Sequence, residues 1–197
     1  MSQPPQRKLV DRKKNKPLIS VLTPSVRPSG LVLVAKSLAK QTFQDIEWLI
    51  CSPQTLEKEI QNLIGDIYPY RFFGNPPLKK GMFWDLNFSY NRLFKNAKAE
   101  CLVSLQDWIW IPPDGLQKFW DNYQATNGKA VISGVGDQFA KLDEFGKPCI
   151  KIWSDPRKRS DLGSFYEVNF PDIEWNWCLL SRKAIFDVGG MCEELDY

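Results

Sequence analysis

The feature that most constrains the fold is a short apolar run, Cys101–Leu105, with a carboxylate just beyond its end. The run is bounded by polar residues and is too short for a helix, so it predicts a buried β-strand. Asp107 follows it, and a turn signal at residues 112–115 precedes a new helical pattern. Ligands of open α/β sheets bind outside the carboxyl ends of strands, which makes Asp107 a candidate site residue. The alternative, more common for an isolated carboxylate, is an aspartate that only terminates the strand.

Upstream of this run, β-rich segments alternate with helical patterns. Strands are predicted over residues 18–23, 46–51 and 70–73. The first helix is predicted to begin at an N-cap, Ser29. The second covers residues 55–64, and its predicted inward positions are Leu56, Ile60, Leu63 and Ile64. This strand–helix rhythm predicts a parallel sheet with right-handed crossovers.

The rest of the chain adds helices, a hairpin and one core strand. A helix is predicted over residues 83–97, with an inward stripe formed by Phe83, Leu86, Tyr90, Phe94 and Ala97. A helix over 114–124 and a strand over 130–133 follow. Segments 138–143 and 148–153 predict a hairpin, and residues 177–180 predict a core strand. The predicted fold class is therefore α/β, a mostly parallel sheet flanked by helices with a small β-hairpin region.

Composition narrows the chemistry. The chain of 197 residues suits one domain, and it contains no histidine, which excludes histidine triads and histidine metal sites. Its five cysteines are widely spread without a CxxC pair, and Cys51, Cys101 and Cys178 lie in apolar strand-like runs, which favours small buried thiols at these three positions. The whole chain has a net charge of +3. Residues 1–16 carry +5 of charge, so residues 17–197 carry −2. We therefore predict a disordered basic tail over 1–16 and one domain over 17–197, with no nucleic-acid partner expected.

Three segments of the sequence carry a family resemblance. Ungapped from Asn91, the stretch NRLFKNAKAECLVSLQDWIWIPPDGL resembles the pattern of the GT-A glycosyltransferases of family 2, which transfer a sugar from a nucleotide-diphospho-sugar donor. The opening stretch PLISVLTPSVRPSGL and the stretch SLAKQTFQDIEWLICSP are similar to the same family. The family's acidic cluster reads Gln106-Asp107-Trp108 in this chain, where only the middle carboxylate is kept. The resemblance implies that Asp107 holds Mn²⁺ or Mg²⁺ against the donor diphosphate.

The resemblance also implies a nucleotide-sugar site. By this resemblance, the loop after the first strand holds the nucleoside of the donor, and Asn91 lies toward the donor phosphates. Ser52 and Pro53 stand where the family has acidic residues, the first of which contacts uracil. For Asn87, one turn before Asn91, an amide in solvent is an equally good explanation. The implied nucleotide-sugar-binding residues are Thr23, Pro24, Ser25, Arg27, Ser52, Asn87, Asn91, Gln106 and Asp107.

The segment 169–177 combines carboxylates with indoles, a composition that suits a sugar acceptor. Trp175 is the candidate acceptor-binding residue. Asp172 and Glu174 are candidates for the catalytic base, although the resemblance places the family's acidic pair after residue 197. Residues 157–159 (Arg-Lys-Arg) form either a diphosphate clamp or, more commonly for such a run, a solvated loop. Residues 191–197 lack a long apolar run, so we expect them to be poorly ordered unless docked.

Two other function classes stay open at this point. One is a nucleotide-sugar or glycan-binding module without catalysis, favoured by the substitutions around Asp107. The other is RNA binding through the basic tail. The chain has no apolar run of membrane-spanning length, and its N-terminus is polar and basic rather than a signal peptide, so we expect a cytoplasmic protein.

Overall fold

The computed structural model describes residues 16–82, 85–143, 148–154 and 175–196. Within these ranges the chain forms a six-stranded and a two-stranded sheet. The strands are β1 (Ile19–Pro24), β2 (Ile46–Pro53), β3 (Arg71–Asn75), β4 (Cys101–Leu105), β5 (Ile132–Ser133), β6 (Asp137–Leu142), β7 (Pro148–Ser154) and β8 (Trp177–Ser181). The helices are α1 (Pro28–Ala39), α2 (Glu57–Ile64), α3 (Leu86–Asn96), α4 (Gly115–Ala125) and α5 (Arg182–Asp187), with 3₁₀ turns at Gln54–Leu56 and Glu193–Asp196.

The large sheet has the strand order β3-β2-β1-β4-β8-β5. Strands β3, β2, β1 and β4 run parallel, whereas β8 pairs antiparallel with both β4 and β5. The chain moves outward from β1 through β2 to β3 and then returns to place β4 on the other side of β1. The carboxyl ends of β1 and β4 therefore flank the point at which the strand order reverses, where open α/β sheets form ligand crevices. The predicted α/β class with a mostly parallel sheet is confirmed.

Two apolar cores lie on the two faces of this sheet. Successive side chains of a strand point to opposite faces, so Cys101, Val103 and Leu105 belong to one core and Leu102 to the other. The first core packs against α1, α2 and α4, and the second against α3 and α5. The β6–β7 pair is a separate antiparallel sheet, which confirms the predicted hairpin. Among the described residues, no helix is both long and apolar enough to cross a bilayer.

Three details of the predicted helices are wrong. Helix α1 begins at Pro28 with Arg27 at its N-cap position, so Ser29 is not the cap. Proline suits the first helical position because its missing N–H has no partner there anyway. Leu63 and Leu86 are partly exposed rather than inward, since Ile60 and Ile64 form the buried stripe of α2, and Leu86 is the first residue of α3. Residues 83 and 84 lie outside the described ranges.

The cysteines divide into two groups by burial. The three buried thiols are Cys51, Cys101 and Cys178, and the two exposed thiols are Cys149 and Cys192. Burial raises the pKa of the Cys51 thiol to about 11 and that of the Cys178 thiol to about 12, and it also raises the pKa of Cys101. The prediction of buried free thiols is therefore confirmed for the three cysteines that lie in the strands of the large sheet.

The C-terminal segment is docked, contrary to the expectation of poor order. The Asp196 side chain is fully buried, and its carboxylate accepts hydrogen bonds from the backbone N–H groups of Asn87 and Phe88, at 3.1 and 2.9 Å. The Asn87 side-chain amide donates a third at 3.0 Å. These N–H groups belong to the first turn of α3 and have no partner inside the helix, so Asp196 caps α3 from the far end of the chain. Polar contacts, not an apolar run, anchor this segment.

Candidate functional site

The candidate site forms where the loop after β1 meets the residue after β4. Asp107 is almost completely buried, and its Oδ2 accepts a hydrogen bond from Ser25 Oγ at 2.6 Å. Arg27 Nε donates to the same oxygen at 3.1 Å, while Arg27 Nη2 donates to Oδ1. The guanidinium therefore grips both carboxylate oxygens in the two-pronged geometry that arginine favours. The structure thus brings together three residues that the sequence placed in one site.

Helix α1 positions this ion pair. The backbone N–H of Arg27 donates to Ser25 Oγ at 3.0 Å, which tightens the turn between β1 and the helix. Asp107 lies directly against the first turn of α1, since a Cβ added to Gly30 would stand 3.0 Å from the Asp107 Cβ. A carboxylate near a helix N-terminus is stabilised by the unpaired N–H groups there. The burial and these three hydrogen bonds show that Asp107 joins the loop after β1 to the end of β4, and its role toward a donor stays a prediction.

Trp108 covers the same helix turn from outside. Its backbone has φ of +62°, a left-handed conformation that side chains such as indole rarely adopt. A Cβ on Gly30 would lie 2.7 Å from two atoms of the indole ring, so only glycine allows the ring to rest there. The side chain is still about half exposed, at 51%. Backbone strain of this kind costs on the order of 1–3 kcal/mol and is typical of functional sites.

Thr23, near the end of β1, holds the strands next to the site together through its side-chain hydroxyl. It is fully buried, its hydroxyl donates to the Leu105 carbonyl at 2.7 Å, and it accepts a hydrogen bond from Trp48 Nε1 at 2.9 Å. These bonds tie β1 to both of its neighbours in the sheet, β4 and β2. Pro24 is buried at the end of β1. Ser52, near the end of β2, is buried, and its hydroxyl has no hydrogen-bond partner among the described residues.

Gln106 and Trp175 belong to a different face. The Gln106 backbone N–H donates to the Asn176 carbonyl at 3.0 Å, which joins the end of β4 to the start of β8. The Trp175 ring meets the Tyr90 ring edge-on at 5.6 Å, and its indole N–H is buried without a described partner. Burial raises the Tyr90 pKa to about 12, and hydrogen bonds with Ser104 and Gln106 act against that rise. Trp175 therefore packs against the second core, and its role in acceptor binding stays a prediction.

Asn87 and Asn91 of α3 face the C-terminal segment. The Asn91 Oδ1 accepts from the Met191 N–H at 2.7 Å, and its Nδ2 donates to the Met191 carbonyl at 2.9 Å and to Glu193 at 2.8 Å. Asn87 contacts Asp196 as described above. The structure does not bring either amide to Asp107, so their roles toward a donor stay predictions. The candidate bases Asp172 and Glu174 lie outside the described residues, as do residues 157–159.

The donor set around Asp107 does not fit a metal site of the expected kind. Mg²⁺ and Mn²⁺ take hard oxygen ligands, and carboxylates supply the charge that holds them. Here both Asp107 oxygens are bound by a guanidinium, and the flanking Gln106 and Trp108 carry no charge. Within the described ranges, no three His, Cys, Asp or Glu side chains cluster to hold a metal. A dication beside Asp107 would have to displace or repel Arg27.

Two residues that shape this site were missed by the sequence reasoning. Gly30 is not singled out by the sequence analysis, yet it supplies the surface on which the Trp108 ring rests. Trp108 was noted only for the carboxylate it replaces. A glycine in the first turn of a helix is a weak signal by itself, because only the folded sheet shows which side chain comes to rest on it.

The mainly parallel six-stranded sheet between layers of helices, together with the small two-stranded sheet, matches the fold of solved glycosyltransferases. No protein-family model matches the sequence, and no curated protein is significantly similar to it. The fold is similar to that of a TarS 1-349 fragment from S. aureus solved with UDP, at TM-score 0.60 and 14% identity. That match covers 91% of this chain and 51% of TarS 1-349.

A second similar structure is the mannosyltransferase PcManGT from Pyrobaculum calidifontis, solved with GDP-Man and Mn²⁺. Its TM-score is 0.56 at 11% identity, over 92% of this chain and 49% of that one. TarS 1-349 has also been solved with UDP-GlcNAc, at TM-score 0.56 and 14% identity over 87% of this chain and 47% of that one. The chain thus spans about half the length of the solved chains it resembles, and at these identities the likeness shows the fold.

Proposed function

We propose that this chain is a glycosyltransferase domain that binds a nucleotide-diphospho-sugar and transfers the sugar to a hydroxyl acceptor. The observation that carries the proposal is the buried Asp107, gripped by Arg27 and Ser25 at the crevice between β1 and β4. Similar folds have been solved with UDP, UDP-GlcNAc and GDP-Man. Assignment to family 2 rests on the sequence motifs alone.

In the proposed reaction, an acceptor hydroxyl attacks the anomeric carbon of the donor sugar. The bond from that carbon to the diphosphate oxygen breaks, and the diphosphate leaves with the electron pair. A carboxylate takes the hydroxyl proton, and Asp172 and Glu174 are the candidates within this sequence. Because the sequence has no histidine, a carboxylate is the natural general base near neutral pH.

We expect the site to discriminate weakly between nucleotides with different bases. Ser52 and Pro53 replace the acidic residues of the resembling family, and the Ser52 hydroxyl is the polar group left there. A site discriminates strongly only when the wrong ligand leaves its buried polar groups unpaired. We therefore expect UDP and GDP to bind with Kd values within about tenfold of each other, which corresponds to about 1.4 kcal/mol.

The test is isothermal calorimetry against a panel of nucleotides and nucleotide sugars, followed by mass spectrometry of donor and acceptor mixtures. Micromolar binding of at least one nucleotide diphosphate, together with release of free nucleotide when an acceptor is added, is the expected result. Failure of every nucleotide and nucleotide sugar to bind would refute the proposal.

A second candidate is a nucleotide-sugar-binding module without catalysis. It is favoured by the substitution of uncharged Gln106 and Trp108 on both sides of Asp107. The two candidates differ in turnover at saturating donor. Slow release of nucleotide, unchanged when Asp172→Asn and Glu174→Gln are introduced together, would indicate the binding module. A loss of turnover in that double variant with an unchanged donor Kd would indicate the enzyme.

A further inference from the structure

We propose that the donor diphosphate is held by the guanidinium of Arg27, in the place where the resembling family uses a metal ion. The inference rests on the proposed function and deepens it, because it names the group that meets the diphosphate. It follows from three observations: both oxygens of the Asp107 carboxylate already accept hydrogen bonds, the Arg27 side chain is largely exposed, and the Trp108 ring lies on the first turn of α1.

The first observation is that Asp107 has little left to offer a metal. Its Oδ2 accepts two hydrogen bonds and its Oδ1 one, and the side chain is 4% exposed. A divalent ion binding this carboxylate would replace the guanidinium and then sit with one protein charge. The same carboxylate is, by contrast, well suited to hold an arginine in a fixed orientation.

The second observation is the free part of Arg27. Its side chain is 62% exposed although its Nε and Nη2 are bound to Asp107. A guanidinium has five N–H donors in a planar fork, so most of them remain directed away from Asp107. A planar fork of N–H groups matches two phosphate oxygens at once and keeps its charge at any pH at which the protein folds. The buried carboxylate orients the fork before a ligand arrives, which reduces the entropy lost on binding.

The third observation is the position of the Trp108 ring on the first turn of α1. The Trp108 ring lies over Gly30, three residues after Arg27. It fills the position at which a second carboxylate would stand in the family's acidic cluster. Its exposed face is an apolar surface of the kind on which the C–H groups of a sugar pack. The two replacements are consistent with each other. A site without the second carboxylate would hold a metal weakly, and the Arg27 guanidinium supplies the positive charge instead.

The test measures Kd for UDP and GDP by calorimetry on the full chain, in EDTA and again in Mn²⁺. We expect the tighter nucleotide to bind with Kd values within about threefold in the two buffers. Loss of a charge-assisted bond to phosphate in Arg27→Gln is expected to weaken binding about ten- to hundred-fold in both buffers. Arg27→Lys keeps the charge without the fork and is expected to be intermediate.

Two further variants guard against misfolding. Arg27→Gln leaves Asp107 buried without its counter-ion, so the double variant Arg27→Gln with Asp107→Asn replaces the pair by neutral groups of similar shape and is expected to show the same loss of binding. Arg71→Gln is the matched control, because Arg71 pairs with Glu47 at 2.9 Å at the opposite, amino-terminal edge of the parallel strands. It is expected to leave both Kd values unchanged. Circular dichroism and urea unfolding confirm the fold of each variant.

The outcomes separate this inference from the proposed function. Wild-type binding that requires Mn²⁺, or Arg27→Gln binding in EDTA with the wild-type Kd, would overturn the arginine clamp and leave the glycosyltransferase proposal in place. Absence of UDP and GDP binding in both buffers would overturn the arginine clamp, and absence of binding by every other nucleotide and nucleotide sugar of the panel would overturn the proposed function as well. Equal binding in EDTA and Mn²⁺ that is lost in the single and double Arg27 variants would establish the clamp.

Discussion

Replacement of Asp196 by alanine should destabilise the protein because it removes the cap of α3. The Asp196 carboxylate accepts three hydrogen bonds, two of them from the orphan N–H groups of the first turn of α3. Loss of a helix cap costs about 0.5–2 kcal/mol. Loss of the carboxylate's interaction with the helix N-terminus adds about 0.3–1 kcal/mol. Because the site is fully buried, water cannot replace the lost acceptor without rearrangement, which adds about 1 kcal/mol.

The expected total for Asp196→Ala is therefore about 2–4 kcal/mol in the free energy of unfolding. Asp196→Asn keeps one acceptor oxygen and removes the charge, so its expected cost is about 1–2 kcal/mol. Glu194→Ala in the same 3₁₀ turn is the matched control, since its side chain is exposed, and a change within about 0.5 kcal/mol is expected.

Urea unfolding followed by circular dichroism measures these differences. Hydrogen exchange of the Asn87 and Phe88 amides tests the cause, because their protection should fall in Asp196→Ala by more than that of other helical amides. An unfolding free energy within about 0.5 kcal/mol of wild type, together with unchanged protection of the two amides, would refute the cap.

The remaining predictions concern the framework of the site. Thr23→Val keeps the side-chain shape but leaves the Trp48 N–H and the Leu105 carbonyl without their shared partner, so urea unfolding should show a loss of about 1–3 kcal/mol, whereas Thr23→Ser should show about 1 kcal/mol or less. Gly134→Ala would place a Cβ 1.7 Å from the Trp177 ring, and the expected loss of about 1–3 kcal/mol would be contradicted by a wild-type melting temperature. Burial raises the pKa of the three buried thiols, so below about pH 10 they stay protonated; iodoacetamide should modify only the two exposed thiols of the native chain at pH 8, and all five in urea.

The regular part of the fold was accessible from the sequence because it depends on local pattern. Short apolar runs alternate with helical stripes, and this alternation predicted β1, β2, β4 and the hairpin. The predicted ends of these strands differ from the observed ends by no more than two residues. The start of α1 was predicted wrongly, because the backbone geometry of proline, rather than the apolar pattern, sets where this helix begins. Proline at the first helical position moved the start of α1, and the residue predicted as its cap lies inside the helix.

The site was accessible only in part, for a different reason. The strand-end position of Asp107 predicted a functional edge, and Ser25 and Arg27 were predicted from a separate stretch of the family resemblance, the loop after the first strand. What Asp107 touches depends on a contact between residues 80 positions apart, which no local pattern encodes. The same holds for Asn91 and Asp196, because Met191 and Asn87, with which they form hydrogen bonds, lie 100 and 109 positions away in the sequence.

The central position of β1 and β4 has a consequence for how this protein would respond to its ligand. Both strands lie inside the sheet, with neighbours on each side, so the Arg27–Asp107 pair cannot separate by fraying of an edge. A ligand that binds this folded crevice and not the unfolded chain therefore opposes global unfolding. A ligand present at a hundred times its Kd adds about 2.7 kcal/mol to the free energy of unfolding of such a protein. Thermal melting could thus serve as a direct screen for the natural ligand, with no knowledge of the acceptor.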